Sequence, residues 1–312
     1  MALEADHLFV AITTPEISAI LSVFNENAEL NRTLASLNQA DGLEETIVVN
    51  DASTARVLFS IRTKNLRTIS HRRRVGVAAS RHEATLLSKG KAYAYLDAHQ
   101  RVTPDCLSKC ANLSIKRRAI VTPDIRDFGP DIHSMRGAEF VMRRGKPPFG
   151  AEWRLRAATP PVSRVSSLKA PAYVIPASVY PKVSWSPLLR GWGGSEACVS
   201  LKAFFTGVPI LHLCGPIAYH KFKTKFHYPV TWDEIWRNHA LIARICFSER
   251  TWYDYWLPKI FEPHLNETVQ REMDSAEVRE EQRAFQKLKV RPDHEFWTRL
   301  VFRAVPKSVR IE

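Results

Sequence analysis

The chain lacks any apolar stretch of the roughly 18 residues that a bilayer-spanning helix requires. It also lacks a basic segment followed by a long apolar run near its start, the mark of a secretory leader. Internal repeats and low-complexity segments are missing, which excludes a repeat array or a disordered linker. The five cysteines, Cys106, Cys110, Cys198, Cys214 and Cys246, are odd in number, so reduced thiols are expected. Cys106 and Cys110 share one face of an expected helix. No second Cys or His pair completes a metal site with them, so they read as core thiols. Acid is scarce in one part of the chain. From Arg136 to Lys225 there are fourteen Lys and Arg against three Glu (Glu139, Glu152, Glu196), which is +11 of a formal net charge of +13. A field of that size draws polyanions. The expectation is a cytoplasmic protein with no membrane segment.

What is present is ordinary globular composition. With 312 residues, 45% hydrophobic and 25% charged, the chain can bury one full core. Ile17-Ser-Ala-Ile-Leu-Ser-Val-Phe24 is an apolar strand, and Leu30, Leu34 and Leu37 follow at helical spacing. Glu45–Asn50 and Arg67–Ser70 read as strands, Gly76–Leu87 as a helix and Tyr93–Leu96 as a strand. Cys106–Ser114 is an expected helix and Ala119–Thr122 a strand. The Pro-, Arg- and Ser-rich stretch from Arg126 to Pro187 reads as loops and short strands. Glu196–Thr206, Trp232–Phe247 and Ser275–Leu288 read as helices, and Val208–Leu213 as a strand. Strands alternating with helices imply βαβ units and a mostly parallel, Rossmann-like α/β sheet.

The sharpest feature is Tyr93-Ala-Tyr-Leu-Asp97-Ala-His99. Residues i and i+2 of a strand share a face. At the carboxyl end of a strand in an open α/β sheet, that face meets ligands. A carboxylate beside an imidazole suits a borderline divalent cation such as Mn²⁺, which could neutralise a diphosphate leaving group.

Around it stand other phrases in order: Val49-Asn-Asp51-Ala-Ser53, Gly76-Val-Ala-Ala-Ser-Arg81, Gly191-Trp192-Gly-Gly-Ser-Glu196 and Ala218-Tyr-His220. The set resembles the GT-A-fold nucleotide-sugar glycosyltransferases, in particular the catalytic domain of the polypeptide N-acetylgalactosaminyltransferases. That family's Phe-Leu-Asp-Ala-His-Cys compares with Tyr95–Gln100, and its Trp-Gly-Gly-Glu with Trp192–Glu196. Its Val-Gly-His-Val-Phe-Arg compares with Ala218–Lys223. Asn238–Tyr255 and Phe285–Trp297 are similar to its closing helices, so the resemblance runs from about Ile17 to Leu300.

The resemblance implies a GT-A catalytic domain over 1–265, with a nucleotide-sugar half at about 10–125 and an acceptor half at about 126–230. A helical extension would cover 266–312. It implies Mn²⁺ (or Mg²⁺) held by Asp97, His99 and His220, with a UDP-sugar as donor. Asp51 would bond the uracil or ribose, Asn25 and Glu26 would frame the nucleotide, and Arg81 would lie near the donor. Trp153 would stand near donor and acceptor, Trp192 would wall the sugar, and Glu196 would reach the sugar or acceptor hydroxyl. Each has a plainer reading: a turn cap for Asp51, an interior histidine for His220, core aromatics for Trp153 and Trp192, and a helix-start carboxylate for Glu196.

In two respects the chain departs from the family. Ser195 stands where the family has Glu, and a one-residue shift turns a helical side chain by about 100°. Glu196 could then serve as the general base of an inverting displacement. The family's membrane anchor and lectin domain are not expected here. For the acceptor, the basic segment favours an anionic polymer such as hydroxymethylated DNA, through Arg143, Arg144, Lys146, Arg154, Arg156, Arg164, Lys169, Lys182 and Arg190. A polypeptide Ser/Thr acceptor is the alternative, and a non-catalytic nucleic-acid-binding protein on this scaffold is a third reading.

Overall fold

The computed structural model describes residues 15–63, 65–128, 134–155, 161–223, 228, 230–306 and 309. Twelve strands are present among them: β1 (Ile17–Val23), β2 (Leu43–Asn50), β3 (Leu66–Ser70), β4 (Ala92–Asp97), β5 (Gln100–Val102) and β6 (Ile120–Asp127). They continue with β7 (Ser134–Met135), β8 (Ala138–Met142), β9 (Phe149–Trp153), β10 (Val162–Val165), β11 (Tyr173–Pro176) and β12 (Ile210–His220). The main sheet runs β10-β12-β6-β11-β4-β1-β2-β3, while β8 and β9 form a separate hairpin. β1 is parallel to β2 and β4, β2 to β3, and β12 to β6; β11 lies antiparallel between β4 and β6. The fold is therefore a mixed, largely parallel α/β sheet of the GT-A type.

The parallel register brings functional residues to one edge. Val23 pairs with Asn50, Ser22 with Asp97, and Asn50 with Ser70. β12 reaches the same edge and ends at His220, which pairs with Gln100 of β5. The sequence reading ends this strand at Leu213; Gly215 and Pro216 follow. The register of β12 against β6 shifts between His212 and Ile217, so the strand continues past the interruption.

Helices α1 (Asn27–Leu37) and α3 (Cys106–Arg117) lie on one face of the sheet, and α2 (Val77–Leu86) on the other. Alternation in β4 explains the two cores. Ala92, Ala94 and Leu96 bury into the cluster with α1 and α3, while Tyr95 packs with Trp185 at 4.7 Å on the opposite side. Cys106 and Cys110 are buried, and all five cysteines are free thiols, as expected. The middle stretch holds β7 to β11 and a short helix, α4 (Tyr180–Val183).

Next come α5 (Ser195–Phe205), α6 (Trp232–Cys246), α7 (Glu249–Thr251), α8 (Glu267–Met273) and α9 (Ala276–Gln286). Trp252–Phe261 winds as a π-helix around Pro258, and Phe296–Leu300 is a second π-helical turn. Trp252, Trp256, Phe296 and Trp297 join the same hydrophobic cluster as Ile20 and Tyr95, so the tail completes the core of the sheet's second face. Among the described residues, no helix is long and apolar enough to cross a membrane.

Candidate active site

A cavity of about 580 Å³ opens at the carboxyl edge of β1 and β4. Asp97, at the end of β4, and His99 face His220, at the end of β12. One ligand atom from each of the three lies within 4.8 Å of the others. Asp97 and His99 are each held from behind. Arg81, buried on α2, donates from Nη2 to Asp97 Oδ1 at 2.9 Å. That leaves Oδ2 facing His220 Nε2 at 3.3 Å and His99 Nε2 at 3.8 Å. His99 donates from Nδ1 to Glu26 Oε2 at 2.7 Å, and Lys223 holds the other oxygen of Glu26 at 2.5 Å. A carboxylate on one imidazole nitrogen fixes the tautomer and frees the other as a metal ligand. His220 Nδ1 is buried and has no hydrogen-bond partner among the described residues.

The charges agree with that arrangement. Burial pushes the Asp97 carboxyl up, but the His220 hydrogen bond and the charges of His99, Arg81 and His220 outweigh it and hold it well below the carboxylate range. Glu26 behaves likewise: burial raises its pKa, and His99 and Lys223 bring it below the usual value. Both acids are ionised at neutral pH. One carboxylate and two imidazoles fit a borderline divalent cation and leave coordination positions for oxygen ligands.

Glu26 was expected to frame a nucleotide; it lines the cavity and orients His99. Asn25 is absent from the cavity lining. It has φ 56°, its backbone N–H donates to Ser53 Oγ, and its Oδ1 accepts from Thr54, clasping the end of β1 to the loop after β2. Asp51 lines the cavity, and its carboxylate already accepts from Val75 N at 2.8 Å, Gly76 N at 2.9 Å and His71 Nδ1 at 3.0 Å. It shapes the loop before α2 with lone pairs to spare.

Sequence reasoning missed the group beside Asp51. The guanidinium of Arg74 lies 4.6 Å from both the Phe24 and Tyr228 ring centroids, and all three residues line the cavity. The only sequence signal was their position after strands, Phe24 after β1, Arg74 after β3 and Tyr228 after β12.

On the far wall, the Gly191–Gly194 turn enters α5. Gly191 has φ 52°, and the backbone of Gly76 approaches so closely that a Cβ on Gly76 would stand 2.3 Å from Gly191 N. Asn238, buried in α6, donates from Nδ2 to the carbonyls of Arg190 and Gly193 and locks the turn. Trp192 and Glu196 are thereby set on the cavity wall. Glu196 accepts from Arg81 Nη1 at 2.9 Å and from Ser195 Oγ at 2.5 Å. Arg81 thus bridges Asp97 and Glu196. Trp153 also lines the cavity, edge-on to Phe222 at 6.4 Å.

The basic residues divide. Arg143 and Lys169 line the cavity. Arg154 is spent on Arg136 O and Ser163, and Arg190 on Glu272. Arg144, Lys146, Arg164 and Lys182 are surface-exposed away from the cavity lining. Arg156 lies outside the described residues.

Residues 18–165 match the family model described as Glycosyl transferase family 2. That region contains Asp97 and His99 but ends before Trp192, Glu196 and His220. Among solved structures, GalNAc-T7 with UDP, GalNAc and Mn²⁺ aligns with a TM-score of 0.68 at 17% identity, covering 92% of this chain and 58% of that one. The chain thus spans little more than half the length of that protein. S. aureus TarS (residues 1–349) with UDP-GlcNAc aligns with a TM-score of 0.53 at 14% identity, covering 88% of this chain and 92% of that one. At these identities the likeness is one of fold. No curated protein sequence matches the chain.

Proposed function

We propose that this chain, a glycosyltransferase with the GT-A fold, moves a sugar from a UDP-sugar to a hydroxyl of a macromolecular acceptor, an anionic polymer such as hydroxymethylated DNA. The observation that carries the reading is the triad of Asp97, His99 and His220 opening on one cavity, with Asp97 held by Arg81 and His99 by Glu26. A purely binding protein has no use for such a set. The contents of the two solved relatives, UDP with GalNAc and Mn²⁺ in one and UDP-GlcNAc in the other, support the donor class.

Asp97, His99 and His220 would hold Mn²⁺ (or Mg²⁺). When bound, the ion neutralises the charge that develops on the departing diphosphate. The chain's own residues do the rest. Phe24 and Tyr228, edge to face at 5.7 Å, with Arg74 against both rings and Asp51 in the same lining, form a cationic–aromatic corner that would receive the uracil. Trp192 and Trp153 wall the sugar and exclude water. Arg81 holds Asp97 and Glu196 fixed relative to each other. As the acceptor oxygen bonds to the sugar's anomeric carbon, the bond from that carbon to the phosphate oxygen breaks. UDP leaves with the electron pair, and the acceptor hydroxyl gives up its proton to a base, a role we assign to Glu196, which lines the same cavity.

The test is mass spectrometry after incubation with Mn²⁺, a panel of UDP-sugars, and pools of hydroxymethylated DNA and of Ser/Thr peptides. A DNA product is expected. A peptide product would move the acceptor to polypeptide. With no donor hydrolysed or transferred, and no change in melting temperature on adding EDTA, the enzyme reading fails.

A further inference from the structure

Two cations of the cavity rim have no part in the donor site. Arg143 stands in the turn after β8, and Lys169 between β10 and β11; both line the cavity and both are exposed. Of the nearby acids, Glu139 lies 3.8 Å from Arg154 and Glu196 is bonded to Arg81, while Glu152 acts on Lys169. The pair is nevertheless seated. The Arg143 guanidinium lies across Gly150 on β9, where a Cβ would stand 2.3 Å from its Nε, so the glycine provides the notch it occupies. Lys169 Nζ lies 5.3 Å from the Trp153 ring centroid.

The two charges feel each other. Burial, and then Arg143, hold the Lys169 pKa below the lysine range, and only Glu152 opposes them. Two like charges kept together at a cavity rim favour an anion between them. Lys169 connects to the triad through a row of ring contacts: its Nζ lies against Trp153, Trp153 and Phe222 are 6.4 Å apart, and Phe222 is 4.3 Å from the His220 ring. Trp153, Phe222 and Trp192 line the same cavity. Cations interleaved with aromatic faces suit a strand with charged linkages and flat bases better than a peptide.

We infer that Arg143 and Lys169 form a phosphodiester subsite that holds the backbone of a nucleic-acid acceptor next to the nucleotide whose hydroxyl is modified. The inference rests on the transfer reading above and names its acceptor side.

It is tested by fluorescence anisotropy of a labelled single-stranded oligonucleotide carrying 5-hydroxymethylcytosine, titrated at several salt concentrations without donor. Lys169→Gln and Arg143→Gln are each expected to weaken binding and to lower the slope of log affinity against log salt by about 0.7. Gly150→Ala, which displaces the guanidinium, should reproduce part of the Arg143→Gln loss. Lys116→Gln, on the outer end of α3, should match the wild type. Wild-type affinity and slope in both cavity variants would overturn the inference. So would an oligonucleotide that fails to bind at low salt, or a polyol phosphate or acidic peptide that binds through these two residues when the oligonucleotide does not. Calorimetry of UDP with Mn²⁺ on the wild type tests the donor site separately. Its failure would sink the transfer reading while the anisotropy still decides the subsite.

Discussion

Individual side chains in this cavity are placed by a neighbour behind them. Asp97 and His220 are proposed metal ligands: Asp97→Asn and His220→Ala should abolish measurable transfer while circular dichroism stays at wild type. Glu26→Gln should act through His99. It should weaken Mn²⁺ binding about 10–100-fold, and excess Mn²⁺ should restore turnover, which separates a positioning role from a ligand role. His239, buried on α6 and accepting from Phe149 N at Nδ1, shows a different dependence. Burial, and then Arg143, push its pKa down to about 3, against about 6.5 in an unfolded chain. The folded state excludes the proton, so this stability is present above about pH 6.5 and lost as pH falls toward 3, by at most about 1.4 kcal/mol per pH unit. Urea midpoints should fall more steeply between pH 7 and pH 5 for the wild type than for His239→Gln. At this scale the sequence was readable where chemistry was concentrated, as at Asp97-Ala-His99. It was silent on Arg74 and Tyr228, whose pairing is made only by the folding of two distant loops.

Secondary elements were legible where period and punctuation agreed. β1, β2, α2 and α6 lie within a few residues of their expected bounds, because apolar runs and helical spacing end at polar turns. The reading failed where an element is built against its own pattern. β12 carries a glycine and a proline past Leu213, and Trp252–Phe261 stays helical through Pro258 by widening to a π-helix. Tertiary packing decides both. The aromatic latch shows how firmly. Trp297 stacks on Trp256 at 6.0 Å and meets Phe247 at 5.8 Å. Trp297→Ala should cost about 3–5 kcal/mol, visible as a large drop in the denaturation midpoint. Asn238→Ala orphans backbone carbonyls of the Trp192 turn, each worth about 1–3 kcal/mol when buried. It should lower both melting temperature and kcat, since Trp192 and Glu196 lose their support.

Over the whole molecule, charge and apolar surface are sorted by function. The acid-poor stretch of the sequence supplies Arg143 and Lys169 to the cavity rim, so composition foretold the sign of that wall but not which cations would form it. Most of the others are exposed elsewhere or tied to carbonyls and carboxylates. Neutralising a tied residue such as Arg190, paired with Glu272, should leave the salt slope of oligonucleotide binding at the wild-type value, in contrast to the cavity pair. The net charge sets long-range attraction, and local geometry sets which residues hold.

The contact between Gly76 and Gly191 joins the two walls of the cavity. Val77 N donates to Gly191 O at 3.2 Å, and Gly76 N donates to Asp51. The loop before α2 and the turn that carries Trp192 are therefore one mechanical piece. Under the proposed function, a turn that swings outward to admit an acceptor would pull the loop bonded to Asp51 with it. Donor and acceptor sides would then be coupled through a single backbone joint at Gly76 and Gly191.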